Sequence, residues 1–456
     1  MKKTLCYLLT GVMAAGLLAG CGQKTQTGTE NTQPKDTAQR VDARCKLALF
    51  VTVKLDVCDL HAEMKLHAVA FKVLHHRQNH GLILVVLCKA QRLEVGQTAD
   101  VVNEALAGDN ITLKFEKKSD VSSQIRLYGT DAENGPDMYL FAHDSLGSFA
   151  EMGILEPVGN LISAEKEADL IPMTIEAATY KGEQYLMPVY YETVLFMYNK
   201  ALWEGEVPST TDELYDYMEA HTDTAAGTYA LVNQHSNTYN VAPFINGFGG
   251  YVIDKDGNPG LNAQETKDAI TYNKKFAMLQ ADGDYNTVTA LFNEGKAAAI
   301  IGGPWLVSGI KEAGIDLGIK ALTDFTLPDG NPMIPYSGVQ CIGVLKYAAE
   351  NKKEAVEKVL EVLAGTEAGV TLAKGFNCAP ANSRAYDDPD VASNEMILAM
   401  KKSAEKAVPM PNIPEMSVMW GPAESLLAAV NKSGEDVDTA AEKYQKEALT
   451  AIQDMK

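Results

Sequence analysis

The sequence predicts an α/β layered fold built from more than one folding unit, on three observations. From about Gln97 onward, short strand-like apolar runs recur between longer stretches with helical spacing, the pattern of a layered sheet-and-helix protein. At 456 residues the chain is long enough for one large domain or two to three smaller ones, and 46% hydrophobic residues supply ample core. The third observation is the stretch Tyr185–Lys200. It begins as a strand, meets Pro188, which has no N–H to donate to a ladder, and continues through Tyr190, Tyr191 and a lone carboxylate, Glu192. A second apolar run, Val194–Tyr198, follows at once. Two readings stand here: a crossover between folding units, with the carboxylate where they face each other, or one ordinary strand with a bulge.

Taken in order, the chain opens with basic Met1-Lys2-Lys3 and an apolar run, Leu5–Leu18, too short to span a bilayer as a helix. It ends in Leu18-Ala19-Gly20-Cys21, which resembles a bacterial lipobox and implies lipid on Cys21, cleavage before it and tethering outside the cytoplasmic membrane. A simple secretory signal with an incidental cysteine is the blander alternative. Gly22–Arg40 holds no large apolar residue and reads as a flexible tether.

Residues 41–95 differ from their surroundings. They hold Cys45, Cys58 and Cys88, five of the eight histidines and a net charge of +3 in a chain of −20. A misread coding frame produces an abrupt change of this kind. Val51–Val57 and Leu82–Leu87 are possible strands within it. His76 and His80 share a helical spacing compatible with a metal, but two such residues without further ligands are most simply incidental.

Beyond Gln97 the elements are clearer. Val101–Leu106 reads as the end of a helix stopped by Gly108-Asp109-Asn110, and Ile111–Phe115 alternates as a strand. Asp137–Phe141 is a strand entered through Gly135-Pro136. Helices are expected over Ser145–Met152, over Thr210–Ala220 with Thr210 or Thr211 as N-cap, and over Gln264–Gln280. Leu291–Lys296 closes a helix at Gly295, and Ala297–Ile301 is a buried strand of small residues. Val356, Val359, Leu360 and Leu363 mark one helix face, and Val437, Ala441, Tyr444, Ala448 and Ile452 another.

A net charge of −20 argues against nucleic-acid binding, which needs a basic face. The five cysteines beyond the leader have no disulfide-framework spacing. No phosphate-binding glycine loop, nucleophile elbow, zinc-protease helix or CxxC pair occurs, so no cofactor and no catalytic residue is assigned.

Three further motifs carry meaning. In Gly135–Ala150 a strand ends at Phe141 and Ala142-His143-Asp144 turns into a helix, and the C-terminal end of such a strand is where ligands sit in open α/β sheets. In Gly302-Gly303-Pro304-Trp305 two glycines free the backbone and Pro304 suits a first helical turn. In Val408–Trp420 prolines pin an extended segment before a helix carrying Trp420.

Together with Tyr185–Lys200, these motifs resemble in order and spacing the extracellular solute-binding lipoproteins of sugar ABC transporters, in particular their maltose/maltodextrin-binding members. The resemblance runs from about Asn110 to the C-terminus. Over residues 41–95, where the family has its first strand and a loop with polar sugar contacts, neither is identifiable. The resemblance implies a two-lobed periplasmic-binding-protein-like fold of type II, with discontinuous lobes joined by a hinge and closing on an oligosaccharide. One lobe would hold 41–190 and 322–372, the other 193–320 and 375–456. Carried over residue by residue, Phe141 stands as an aromatic wall and Asp144 as a sugar-binding carboxylate, while Ser145 replaces a basic residue. Glu192 matches the carboxylate at the crossover, Tyr239 a stacking tyrosine, and Trp305 and Trp420 stacking tryptophans. Asn237 falls loosely where an acid is found. The implied partners are an oligosaccharide, a membrane permease and, through the lipid on Cys21, the outer face of the cytoplasmic membrane; a monomer is expected.

The chemistry is coherent without the family. A pyranose has apolar C–H faces that lie on flat rings and a rim of hydroxyls that donate to carboxylates. Each residue also has a plainer role open to it. Phe141 can be core, Asp144 a helix N-cap, Glu192 a solvated edge charge, Tyr190 core, His143 a structural histidine and Trp203 helix packing. Against a binding protein for α-glucan oligosaccharides stand the same clamp with a different sugar or a peptide, a secreted glycoside hydrolase using Asp144 and Glu192, and, more distantly, metal capture by the histidine-rich segment.

Overall fold

A computed structural model describes residues 82–89, 95–280 and 283–455, all within one compact unit, His80–Lys456. The signal segment with Cys21, the tether, the possible strand Val51–Val57 and the pair His76/His80 lie outside the described residues.

Two sheets organise the unit. The first strand, β1 (Leu82–Lys89), comes from within the anomalous segment. It pairs in parallel with β2 (Ile111–Lys118) and β3 (Met138–Ala142), and its inward residues Leu84, Val86 and Cys88 are fully buried. Helix Val95–Ala105 connects β1 to β2, and helix Val121–Tyr128 connects β2 to β3, as parallel pairing requires. Short β4 (Leu155–Glu156) and the hairpin of β5 (Thr179–Tyr180) and β6 (Glu183–Gln184) follow.

The stretch Tyr185–Lys200 proves to be a crossover and also contains a bulge. β7 (Leu186–Thr193) belongs to the first sheet and β8 (Leu195–Asn199) to the second, so the chain changes sheets across Val194. Pro188 does not end the strand. The register slips there, Pro188 pairing with Cys341 and Tyr190 with Gln340, which places the missing donor at an irregularity.

The second sheet has the order β11-β8-β10-β9, with β9 (Tyr229–Val232), β10 (Ala297–Gly302) and β11 (Leu317–Lys320). Helix Thr211–His221 starts on a full capping box, Thr210 accepting from Glu213 N and the Glu213 side chain from Thr210 N. β12 (Tyr336–Leu345) returns to the first sheet between β7 and β3 and is buried along its whole length. β13 (Ala379–Pro380) extends the sheet beside β7, and β14 (Val408–Pro409) pairs with the start of β12.

By packing, Leu322, Phe325, Leu327 and Met333 belong to the core around the second sheet, and the chain rejoins the first sheet only at Tyr336. It leaves that sheet after Pro409, and Met410, Met416 and helices Trp420–Asn431 and Val437–Asp454 pack on the second. The three passages between sheets lie side by side. Thr193 Oγ1 donates to Tyr336 O at 2.7 Å, and Met410 N to Ser337 O at 3.2 Å.

Each sheet covers a glycine with a tyrosine from the directly paired position. A Cβ on Gly343 would meet the Tyr139 ring at 2.2 Å, and one on Gly318 the Tyr198 ring at 2.1 Å. Tyr139 is fully buried and packs edge-on against Phe149 at 5.4 Å, so it has no room to withdraw. Gly343→Ala is therefore expected to cost about 1–3 kcal/mol of stability by overpacking, read as a lower urea midpoint with unchanged slope.

Candidate functional site

The site grows from the ends of strands and the starts of helices. β3 ends at Ala142 and the chain turns through His143–Ser145 into helix Leu146–Glu151. His143 is wholly buried. It accepts from Val339 N at Nδ1 (3.1 Å) and donates from Nε2 to Met410 O (2.9 Å). Burial holds its pKa down at about 4, so the neutral ring acts as a strut between β12 and the last passage between sheets.

Asp144, next along, faces the other way chemically. Burial lifts its carboxyl to about 6, opposed by Lys89, by the Trp420 indole N–H and by the backbone N–H groups of Asp144 and Ser145. One of its oxygens, Oδ1, is buried with no hydrogen-bond partner among the described residues. Asp144 follows β3 of the first sheet and Trp420 packs on the core around the second, so this bond joins the two. Asp144 is not the N-cap of the turn it sits in; Ala142 holds that place.

Four rings form a continuous series. Trp305 lies 6.2 Å from Tyr239, Tyr239 lies 6.4 Å from Tyr336, and Tyr336 lies 6.5 Å from Trp420. Trp305 remains 37% exposed, so much of its ring is available to a ligand. Its position depends on Gly303, whose added Cβ would sit 2.3 Å from the ring. Gly303 has φ −127°, a conformation open to any residue, so the glycine supplies space for the indole and not backbone freedom. Pro304 opens the turn Pro304–Leu306, and Trp420 opens its own helix.

Glu192 is the last but one residue of β7, beside the crossover, and is buried. Its Oε1 accepts from Gln340 Nε2 at 2.9 Å, and its backbone carbonyl accepts from the Tyr239 hydroxyl at 3.2 Å. Burial excludes the plain solvated edge charge. Phe141 is half-buried at the end of β3, with Lys89 Nζ 5.0 Å from its ring centre. Asn237 caps helix Thr238–Gly247, accepting from Asn240 N at 3.2 Å, and donates to Glu424 Oε1 at 2.8 Å.

The structure brings Asp144, Trp420, Tyr239, Glu192 and Trp305 together through contacts, and Phe141 beside them through Lys89. Lys89 links Phe141 to Asp144, Asp144 reaches Trp420, and the ring series leads from there to Tyr239, Glu192 and Trp305. Asn237 bonds Glu424, one turn along the helix from Trp420, and among the described residues its side-chain hydrogen bonds lead no further into the series. Tyr190 is core, and Trp203 is buried and stacked on Tyr217 at 4.1 Å.

The sequence did not single out Gln340, Lys89, Glu424 or the buried Tyr336, which contact the expected site residues and hold them in place. Tyr336 follows Pro335, the same proline-then-aromatic break that singles out Trp305, so a signal for it was present. Lys89 ends the strand whose Leu82–Leu87 part the sequence marks, two residues beyond that run. A cavity of about 750 Å³ lies elsewhere, lined among others by Arg126, Glu151, Tyr180, Lys181, Lys255 and Asn412, and none of the four rings borders it. Among the described residues no group of three or more His, Cys, Asp or Glu is placed to hold a metal ion.

Rings and carboxylates drawn from two sheets to one seam are the arrangement expected of a clamp. The family model for bacterial extracellular solute-binding proteins matches residues 100–399. The chain belongs to this family. Among relatives, the chain is 31% identical to the maltotriose-binding protein of Pyrococcus abyssi over 351 residues, 75% of this chain and 76% of that one. It is 31% identical to the maltodextrin-binding protein MdxE of Bacillus subtilis, over 73% of this chain and 84% of that one. It is 30% identical to the galactooligosaccharide-binding protein of Bacillus subtilis, over 72% and 83%. The crystal structure of a cyclo/maltodextrin-binding protein complexed with maltotetraose superposes with a TM-score of 0.73 at 26% identity, covering 83% of this chain and 99% of that one. The fold is accordingly the two-lobed binding-protein fold, and the solute-binding protein acts outside the cell.

Proposed function

We propose that this solute-binding protein captures α-glucan oligosaccharides of the maltodextrin class and delivers them to the permease of an ABC transporter. The observation that carries the reading is that the partly exposed rings of Trp305, Tyr239 and Trp420 gather around the buried Tyr336, with the Trp420 indole bonded to the Asp144 carboxylate. Stacked faces bind the C–H surfaces of successive glucoses, and Asp144 and Glu192 accept their hydroxyl hydrogens. Phe141 walls the first-lobe side and Asn237 supplies an amide on the second. Lobe closure is driven by the ligand because only the closed form lets it touch both lobes.

Relatives that bind maltotriose and maltodextrin support the cargo, and the galactooligosaccharide-binding relative makes a galactoside the second reading. The protein is held at the outer face of the membrane through lipid on Cys21, works as a monomer and catalyses no reaction on the sugar; the lipobox motif and a lipoprotein relative of Streptococcus pneumoniae support the anchor.

Calorimetric titration with maltotriose and a galactotriose, with an assay for new reducing ends, separates these readings. Micromolar or tighter binding of maltotriose, weaker binding of the galactoside and no reducing ends are expected, about −8 kcal/mol or better for the glucan. Preference for the galactoside would replace the cargo, and steady release of reducing ends would replace the function.

A further inference from the structure

All ten residues of β12 are buried, and one amide side chain stands among them. Gln340 is 3% exposed, on a strand with β7 on one side and β3 on the other. A buried amide is costly unless its polar atoms are bonded, so an apolar residue would suit the middle of the sheet better. Here the amide is bonded, and its partner is a carboxylate of the site: Gln340 Nε2 donates to Glu192 Oε1 at 2.9 Å.

The register explains how the two meet. Glu192 pairs directly with Gly338, and Gln340 lies two residues further along β12, on the same face of the sheet. Gly338 places no side chain between them. A Cβ there would stand 3.3 Å from the Tyr239 hydroxyl and 3.5 Å from Met410 Cε. Glu192 is thereby gripped at two points. Tyr239, packed on the core around the second sheet, donates its hydroxyl to the Glu192 backbone carbonyl, and Gln340 donates to the carboxylate from within the first sheet. The second grip acts on the side chain itself. With one oxygen held, the plane of the carboxylate is set before a ligand arrives.

Resting on the maltodextrin reading above, we infer that Gln340 is a positioning residue for sugar binding. It acts through Glu192 and not by touching the sugar, holding the carboxylate in the orientation that accepts hydroxyl hydrogens. A glutamate released from this bond keeps its charge but samples several rotamers, and the ligand must then order it at the expense of affinity.

The test is calorimetric titration with maltotriose of the wild type, Gln340→Met, Glu192→Ala and the double variant, alongside thermal unfolding of each. Methionine matches glutamine in length and lacks the N–H. The expected result is a roughly five- to tenfold loss of affinity in Q340M, but less than about a twofold further loss when the same change is made in E192A, because the group it positions is gone. A role in folding alone would lower Tm in both backgrounds without this dependence on Glu192. Equal losses in the two backgrounds, or no loss in Q340M, overturn the inference and leave the maltodextrin reading in place. If Q340M does not fold, Gln340→Asn, whose amide falls one carbon short of Glu192, decides by the same comparison, and Glu192→Gln stands in for an alanine variant that does not fold. Unchanged affinity in E192A removes Glu192 from the sugar contacts and this inference with it. A wild type that does not bind maltotriose overturns the maltodextrin reading itself.

Discussion

Trp420→Ala is expected to weaken maltotriose binding by roughly 30- to 1000-fold, the largest loss of any single substitution in the site. Two effects add. The stacking face is lost, and an aromatic anchor at the centre of an interface is typically worth about 2–4 kcal/mol. The indole N–H that reaches Asp144 is lost as well, so the carboxylate keeps fewer donors while still buried against the hinge. Trp420→Phe separates these contributions, because it retains a ring and removes only the donor. Isothermal titration of both variants should rank wild type above Phe and Phe above Ala. An alanine variant that binds like the wild type would remove Trp420 from the site.

The second large effect concerns pH. Asp144 has a carboxyl raised to about 6 by burial, well above the ordinary Asp range. As a hydroxyl acceptor it works best ionised. Between pH 7.5 and pH 5 the ionised fraction falls about tenfold, and maltotriose affinity should fall by up to the same factor. Stability runs the opposite way. A group whose folded pKa is raised contributes stability below its unfolded value near 3.8 and loses it as pH rises through about 6. Asp144→Asn is therefore expected to stabilise the protein at pH 7.5, by about 1–3 kcal/mol, while weakening sugar binding and flattening its pH profile over this window. His143 titrates with the other sign. Its folded pKa is lowered to about 4, so it contributes stability above its unfolded value near 6.5 and loses it as pH falls towards 4. The stability profile must therefore be compared between wild type and D144N, in which the His143 contribution is common. Equal pH dependence of binding in the two proteins would show that Asp144 does not titrate in contact with the ligand.

Much of this architecture was legible because local signals and long-range pairing agree. Pro188 and Glu192 left a crossover and a bulge as rival readings of one stretch, and the structure contains both, since β7 bends at the proline and the chain changes sheets three residues after Tyr191. Trp305 and Trp420 were found through the glycine and proline breaks before them, which place a large ring at a helix start. The passages between sheets were harder to place. Leu322–Met333 carries no local mark of which core it joins, and only its packing with the second-sheet cluster decides. Tyr336 joins the ring series because β12 runs beside the crossover, a long-range pairing that no local pattern encodes. The bond that ties Asn237 to Glu424 is hidden for the same reason, since the two stand 187 residues apart in the chain. In the anomalous segment, Leu82–Leu87 was readable as a strand, but nothing local said that it opens the first sheet or that Lys89 ends beside Phe141.

The most direct measurement is a crystal structure of the protein with maltotriose bound. The sugar should lie across Trp420, Tyr239 and Trp305, with hydroxyls on Asp144 and Glu192 and both lobes in contact with it. A trisaccharide found against other residues, or held by one lobe alone with the ring series untouched, would contradict the account.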